Sequence, residues 1–225
     1  MPAPISIIIP TLNAEAQLPS CLNALLEGLE AGLVRELIVT DGGSQDATGA
    51  TAQAWGAEVL HGPPSRGGQL RRACAAARGE WLLILHSDTV LQPGWSSQVQ
   101  AHLAHPEWAA WFRLQFDTGG LAASIVAGWA NLRSRFGMPY GDQGLLISAA
   151  LYARAGGFPD QPLMEDVVLA RALSGKLMGL PVTAVTCADK YRRQGWVRRG
   201  ARNLWLLMRF AGGADARVLA QSYRR

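Results

Sequence analysis

The chain has 225 residues, 49% of them apolar and 17% charged, which is ample for a core and puts it at the upper edge of one domain or just able to hold two. This composition excludes a disordered or fibrous chain and predicts one compact α/β domain with a small appendage. The net charge of +4 is modest but uneven, because Lys190, Arg192, Arg193, Arg198, Arg199, Arg202 and Arg209 follow one another without an acid, a pattern that suits phosphates or an anionic surface.

The N-terminus, MPAPISIIIP, has no basic leader and too short an apolar run for a signal peptide. Nowhere do the ~18 consecutive apolar residues of a membrane span occur, so a cytoplasmic protein, peripheral at most, is expected. Ile5 to Pro10 predicts a first buried parallel strand, ended by a proline that cannot donate to a ladder. After a loop at Thr11 to Asn13, Leu18, Leu22, Leu25, Leu26 and Leu29 stand at helical spacing, and a helix is expected to about Gly28. Glu36 to Thr40 predicts the second strand, and it ends in the acid of DGGSQDAT, Asp41 to Thr48. Gly42 and Gly43 permit a tight turn there, and Ser44 or Asp46 can cap the helix that follows through Ala54. Glu58 to Leu60 is a short third strand. The loop GPPSRGG, Gly62 to Gly68, then leads into the arginine-rich helix QLRRACAAARG.

Trp81 to His86 is a continuous apolar run closed by His86, which predicts a fully buried central strand. Asp88 lies just past its C-terminal end, where open α/β sheets place their ligands. Two readings stand at this point: a turn-capping aspartate, or, with His86 and Ser87, a hard-oxygen site holding Mg2+ or Mn2+ against a diphosphate. Further on, a helix is expected from Trp95 to Glu107, a strand from Trp108 to Phe116 and an alanine-rich helix from Gly119 to Phe136. A glycine-rich loop, Gly137 to Ser148, enters another strand. The segment from Phe158 to Leu163 is a loop, Met164 to Ser174 a helix, Leu180 to Cys187 a last strand, and Trp196 to Phe210 the closing helix. This alternation of strands and helices predicts a βαβαβαβ parallel sheet with right-handed crossovers. The three cysteines, Cys21, Cys74 and Cys187, are too scattered for a disulfide framework or a zinc site and point to a reducing compartment.

Six motifs, PTLNAE (Pro10 to Glu15), DGGSQDAT, RGGQLRRA (Arg66 to Ala73), LHSDT (Leu85 to Thr89), GDQG (Gly141 to Gly144) and MED (Met164 to Asp166), occur in this order over nearly the whole chain. Together they resemble a family 2 glycosyltransferase, closest to short stand-alone bacterial members with an HSD or HAD triplet where most relatives carry two aspartates. The resemblance implies an α/β GT-A fold, Rossmann-like, with a mostly parallel central sheet flanked by helices and a C-terminal basic amphipathic helix. Residues 1–95 would be the nucleotide-sugar half, 96–190 the acceptor and catalytic half, and 191–225 a helical appendage. It further implies an inverting, metal-dependent transfer from a nucleoside diphosphate sugar, UDP favoured, to a hydroxyl.

On this resemblance Pro10, Thr11, Asn13 and Glu15 line the nucleoside pocket, Asp41 hydrogen-bonds the base, Arg66 approaches base or diphosphate, and Ser87 lies beside them. For Glu15, a solvated place in a helix's first turn is the competing role. Asp88 matches the metal-binding aspartate, and His86 takes the position of the other, where a neutral, softer imidazole lowers metal affinity or favours Mn2+ over Mg2+. Asp166 matches the general base. Asp142, Gln143 and Glu165 are candidates for sugar or acceptor hydroxyls, and Trp129 or Tyr140 for stacking on a sugar face. In the basic C-terminal stretch Arg192 and Arg193 are candidates for a lid over the diphosphate. The closing helix has two further readings: lying on an anionic membrane near a lipid-linked acceptor, or packing on the domain or a second subunit. A sugar-phosphate nucleotidyltransferase is disfavoured because TLNAEAQ after the first strand has no basic residue. A non-catalytic nucleotide-sugar-binding module stays open, and a nucleic-acid role is disfavoured by the low net charge.

Overall fold

The computed structural model describes residues 3–224. Its first half is β1 (Ile5–Thr11), α1 (Leu18–Ala24), α2 (Leu26–Glu30), β2 (Val34–Asp41), α3 (Thr48–Ala54), β3 (Glu58–His61), α4 (Arg66–Ala76) and β4 (Trp81–Ile84). These four strands pair in parallel in the order β3-β2-β1-β4. The apolar runs are unbroken because each central strand is buried on both faces. Ile5, Ile7 and Ile9 of β1, with Trp81 and Leu83 of β4, enter one core with Leu18, Leu22 and Trp95. Ile8, Leu82 and Ile84 enter the other, with Leu70 and Ala73 of α4.

The second half is β5 (Thr89–Leu91), α5 (Trp95–His102), β6 (Ala109–Phe116), α6 (Leu121–Arg135), a 3-10 turn (Gly141–Gln143), β7 (Leu145–Ser148), α7 (Ala149–Arg154), α8 (Glu165–Ala172), β8 (Leu177–Thr186), α9 (Asp189–Gln194), α10 (Trp196–Ala211) and α11 (Ala216–Arg224). The sheet continues as β4-β7-β6-β8-β5, with β7 antiparallel to both neighbours, β8 parallel to β6 and β5 antiparallel to β8. The parallel succession therefore stops at β4, and the eight-stranded sheet is mixed. Among the described residues, no helix is long and apolar enough to cross a membrane.

Local departures from the sequence expectations have identifiable causes. The first helix breaks at Leu25, and α2 turns Gly28 onto Trp95, where a Cβ would overlap the indole, leaving Leu26 and Leu29 exposed. The stretch RGG is helical rather than loop. Ser65 caps α4 by accepting from Gly68 N, and Gly67 N donates 2.9 Å to the Gln161 carbonyl with no room for a Cβ beside Pro159 O. This contact joins the first half of the chain to the loop before α8. Strand β5 and helices α7, α9 and α11 are additional short elements.

One buried side chain ties the site edge of the sheet together. Gln69 Nε2 donates to the Thr11 carbonyl at 2.9 Å and the Thr40 carbonyl at 2.8 Å, linking the C-terminal ends of β1 and β2. Replacing it, Gln69→Leu, removes both bonds at similar volume and is expected to cost about 2 kcal/mol. Urea unfolding should show a lower midpoint at unchanged slope, and an unaltered midpoint would refute this role for Gln69.

Candidate active site

The strand order reverses between β1 and β4, and the crevice beyond their C-terminal ends is where such sheets bind ligands. Two loops form one side of it. The backbone N–H of Asn13 donates to Ser44 Oγ and Asn13 Oδ1 accepts from Gln45 N, both at 2.8 Å. Glu15 accepts from Ala47 N at 2.8 Å while its own N–H donates to Asp46 at 3.2 Å. Asp41 is buried and accepts from Thr11 Oγ1, Gly43 N, Ser44 N and Ser44 Oγ. Burial raises its pKa, but the bonds from Ser44, Gly43 and Thr11 outweigh that and hold it below the ordinary carboxylate range. The side-chain acceptors of Asn13, Glu15 and Asp41 are thus engaged in bracing the loops after β1 and β2, beside buried Thr11 and half-buried Pro10. This is the usual competition of short polar side chains for loop backbone donors.

A cavity of about 150 Å3 lies between the β4 end, the entry of α8 and α10. Four carboxylates line it, from Asp88, Asp142, Glu165 and Asp166. Three cations face them: Arg66, Lys190 and Arg199. Asp88 sits with Ser87 in the turn joining β4 to β5. Met164, ahead of α8, has φ 64°, a left-handed conformation that a non-glycine residue adopts only when its surroundings enforce it, and it sets the direction in which Glu165 and Asp166 enter the cavity. Asp166 is oriented by Gly141 N and Val167 N, each at 2.8 Å. Glu165 is buried against Arg66, 3.3 Å from its Nε, and its Oε2 has no hydrogen-bond partner among the described residues. Burial and the neighbouring Asp166 push the Glu165 carboxyl up, and Arg66 opposes them. Asp142 is likewise shifted up by burial, with Arg133 countering and Asp166 adding, and its Oδ1 is unpartnered.

His86, matched by resemblance to a metal position, stands beside Arg66 at the cavity. The guanidinium of Arg66 lies against both ring nitrogens, and a Cβ at Gly141 would overlap Nε2. Burial, then Arg66 and Lys190, hold its pKa well below the ordinary imidazole value. Gln143 is fully buried, donating to Phe112 O and Asn131 Oδ1 at 3.3 Å and accepting from Ser134 Oγ, and it does not line the cavity. Arg192 is exposed and paired with Asp189 at 3.1 Å and Asp117 at 3.3 Å, and Arg193 is exposed; neither lines the cavity. The C-terminal cations that do are Lys190 and Arg199. The signal for Arg199 was available as periodicity, because Arg199, Asn203 and Leu206 share one helical face and all three line the cavity. Helix α10, expected as part of an appendage, is therefore a wall of the site. Tyr140 lines the cavity beneath Arg133, whose guanidinium carbon is 3.0 Å from the ring centroid, whereas Trp129 is exposed on α6 and away from it.

Among the described residues, no group of three or more His, Cys, Asp or Glu is arranged to enclose a metal ion. The site still suits one, since Mg2+ and Mn2+ are commonly held by one or two carboxylates and completed by substrate phosphates and water. Asp88, in the turn after β4 and lining the cavity, is a hard donor of that kind.

The model for glycosyl transferase family 2 matches residues 6–136, more than half of the chain. The chain belongs to glycosyltransferase family 2. Among the relatives of this family 2 enzyme, the glucosyl-3-phosphoglycerate synthase of Mycobacterium tuberculosis (strain ATCC 25618 / H37Rv) is 37% identical over 95 residues, 38% of this chain and 29% of that protein. A PGL/p-HBAD biosynthesis glycosyltransferase of Mycobacterium bovis (strain BCG / Pasteur 1173P2) is 36% identical over 99 residues, 40% of this chain and 38% of that one. The match thus spans less than half the length of either relative. Among solved structures, the M. tuberculosis synthase with Mn2+, UDP-glucose and phosphoglyceric acid superposes with a TM-score of 0.58 at 26% identity, covering 78% of this chain and 68% of that one. S. aureus TarS 1-349 with UDP-GlcNAc gives 0.62 at 18% identity, covering 81% and 58%, a likeness of fold alone. These neighbours are GT-A glycosyltransferases, and the fold is GT-A.

Proposed function

We propose that this glycosyltransferase moves a sugar from a nucleoside diphosphate sugar, with UDP the favoured nucleotide, to an acceptor hydroxyl with inversion at the anomeric carbon. One observation carries the reading: carboxylates from the β4 turn and the α8 entry meet cations from α4, α9 and α10 in a single cavity beyond the C-terminal end of β4. The UDP-glucose and Mn2+ bound to the M. tuberculosis neighbour support it. The nucleoside rests against the braced loops after β1 and β2, with Pro10, Thr11 and the Asp41 loop shaping that pocket. Asp166, held by two backbone N–H groups, takes the acceptor proton as the hydroxyl attacks from the face opposite the diphosphate. Arg66, Lys190 and Arg199 stabilise the charge that develops on the departing diphosphate. A divalent cation at Asp88, when bound, neutralises part of that same charge. Asp142 and Glu165 face the transferred sugar or the acceptor. The acceptor is taken as lipid-linked, with the protein at the inner face of a membrane, and the basic character of α10 supports this.

The test is hydrolysis of a panel of UDP-, GDP- and dTDP-sugars with Mn2+ or Mg2+. Release of UDP from one UDP-sugar is expected, abolished by chelation and reduced at least ~100-fold in Asp88→Ala. Failure of every donor to bind or turn over would defeat the transferase reading.

A further inference from the structure

The outer side of α6 carries large apolar side chains that the described residues leave exposed. Leu121, Ile125, Trp129, Leu132 and Phe136 recur every three or four residues and so share one helical face. Their exposures are 78%, 61%, 57%, 45% and 75%. The opposite side, with Ala123, Ala127 and Ala130, packs with Leu114 and Phe116 of β6. Helix α10, which packs against α6, repeats this arrangement. Its inner face lines the cavity, while Val197, Leu204, Trp205 and Met208 are exposed. Isolated exposed apolar residues are ordinary, but such a series on two touching helices marks a binding surface.

Charge selects the occupant. No Asp or Glu occurs from Thr118 to Gly141 or from Lys190 to Ala214, and these stretches hold exposed Arg135 and Arg198 together with Arg202 and Arg209. Arg209 lies over the Trp205 ring, 4.8 Å from its centre, an amphipathic pair suited to a boundary between water and lipid. A second copy related by a two-fold axis would set this arginine-bearing face against itself. Anionic lipid headgroups complement it.

We propose that the outer faces of α6 and α10 dock the enzyme on an anionic bilayer surface. Helix α10 is also a wall of the site through Arg199, Asn203 and Leu206, and α6 backs it indirectly through Arg133, which stacks on the cavity-lining Tyr140. Docking there brings the cavity to the headgroup layer, so the acceptor hydroxyl is presented by a membrane lipid; this last step rests on the transferase reading above, whereas the docking itself does not.

The experiment is co-sedimentation of the full chain with vesicles of phosphatidylcholine alone and of phosphatidylcholine mixed with phosphatidylglycerol. Binding to the anionic vesicles is expected, weakened roughly tenfold by the double substitution Trp129→Ser and Phe136→Ser and weakened again by high salt. Both residues are exposed, so the melting temperature and the affinity for UDP should not change. No binding to anionic vesicles, or binding untouched by the double substitution, overturns the proposal. A monomer–dimer equilibrium in sedimentation velocity that the same substitutions abolish would also overturn it and give the face to a second copy. UDP-sugar hydrolysis on the same preparations separates the two readings, since donor cleavage without vesicle binding leaves the transferase standing, and vesicle binding without donor cleavage leaves the docking surface.

Discussion

Asp166→Asn is expected to lower the rate of sugar transfer by ~10²–10⁴-fold while leaving the affinity for UDP within about threefold, because positioned general bases contribute on that scale. The amide keeps the size of the carboxylate but not its basicity. It also gives up one of the two bonds from Gly141 N and Val167 N, because its NH2 group cannot accept. A modest loss of stability, about 1 kcal/mol, should accompany the loss of rate. Steady-state kinetics with calorimetric titration of UDP separates the effects. A rate within about tenfold of the parent would remove Asp166 from the role of base.

Arg66→Met should change stability in a pH-dependent way. Arg66 is the ion-pair partner of buried Glu165 and also rests on His86, so its removal leaves a buried carboxylate without its cation. Complete loss of a buried partner costs about 3–5 kcal/mol, and because the Arg66 side chain is partly exposed about 2 kcal/mol is expected near pH 8. The sign follows from linkage. Burial and Asp166 already raise the folded-state pKa of Glu165, so the folded protein holds this proton more tightly than the unfolded chain. Its contribution is therefore most favourable at acid pH and is lost as pH climbs from the ordinary carboxylate value, about 4.3, through the raised folded value. Without Arg66 that value moves higher still, so the deficit of the variant should be small near pH 5 and grow toward pH 8. Urea unfolding across this range checks it. A deficit independent of pH would mean that Arg66 acts through packing and His86 alone.

Elements set by local pattern were legible in the chain itself. The runs at Ile5–Pro10, Glu36–Thr40 and Trp81–Ile84 became the central parallel strands, because a segment buried on both faces must be apolar throughout. The strand-end acids Asp41 and Asp88 and the first-turn pair Glu165 and Asp166 could likewise be located from their neighbours. Three-residue β5 could not, because it is held by pairing with β8 almost a hundred residues away, and the antiparallel insertion of β7 depends on a similarly remote partner. What each polar side chain does was also decided in three dimensions. Asn13 and Glu15 meet Gln45 and Ala47 only after β1 and β2 align, Gln143 is buried only because α6 covers it, and His86 meets Arg66 only when α4 docks against the loop before α8. The sequence by itself determined the family, the central strands of the first half and the acids of the site, since these depend on residue type and spacing. Only the tertiary structure decided which carboxylates stay available to a ligand and which cations face them, because hydrogen bonds and ion pairs are allotted by distance in space.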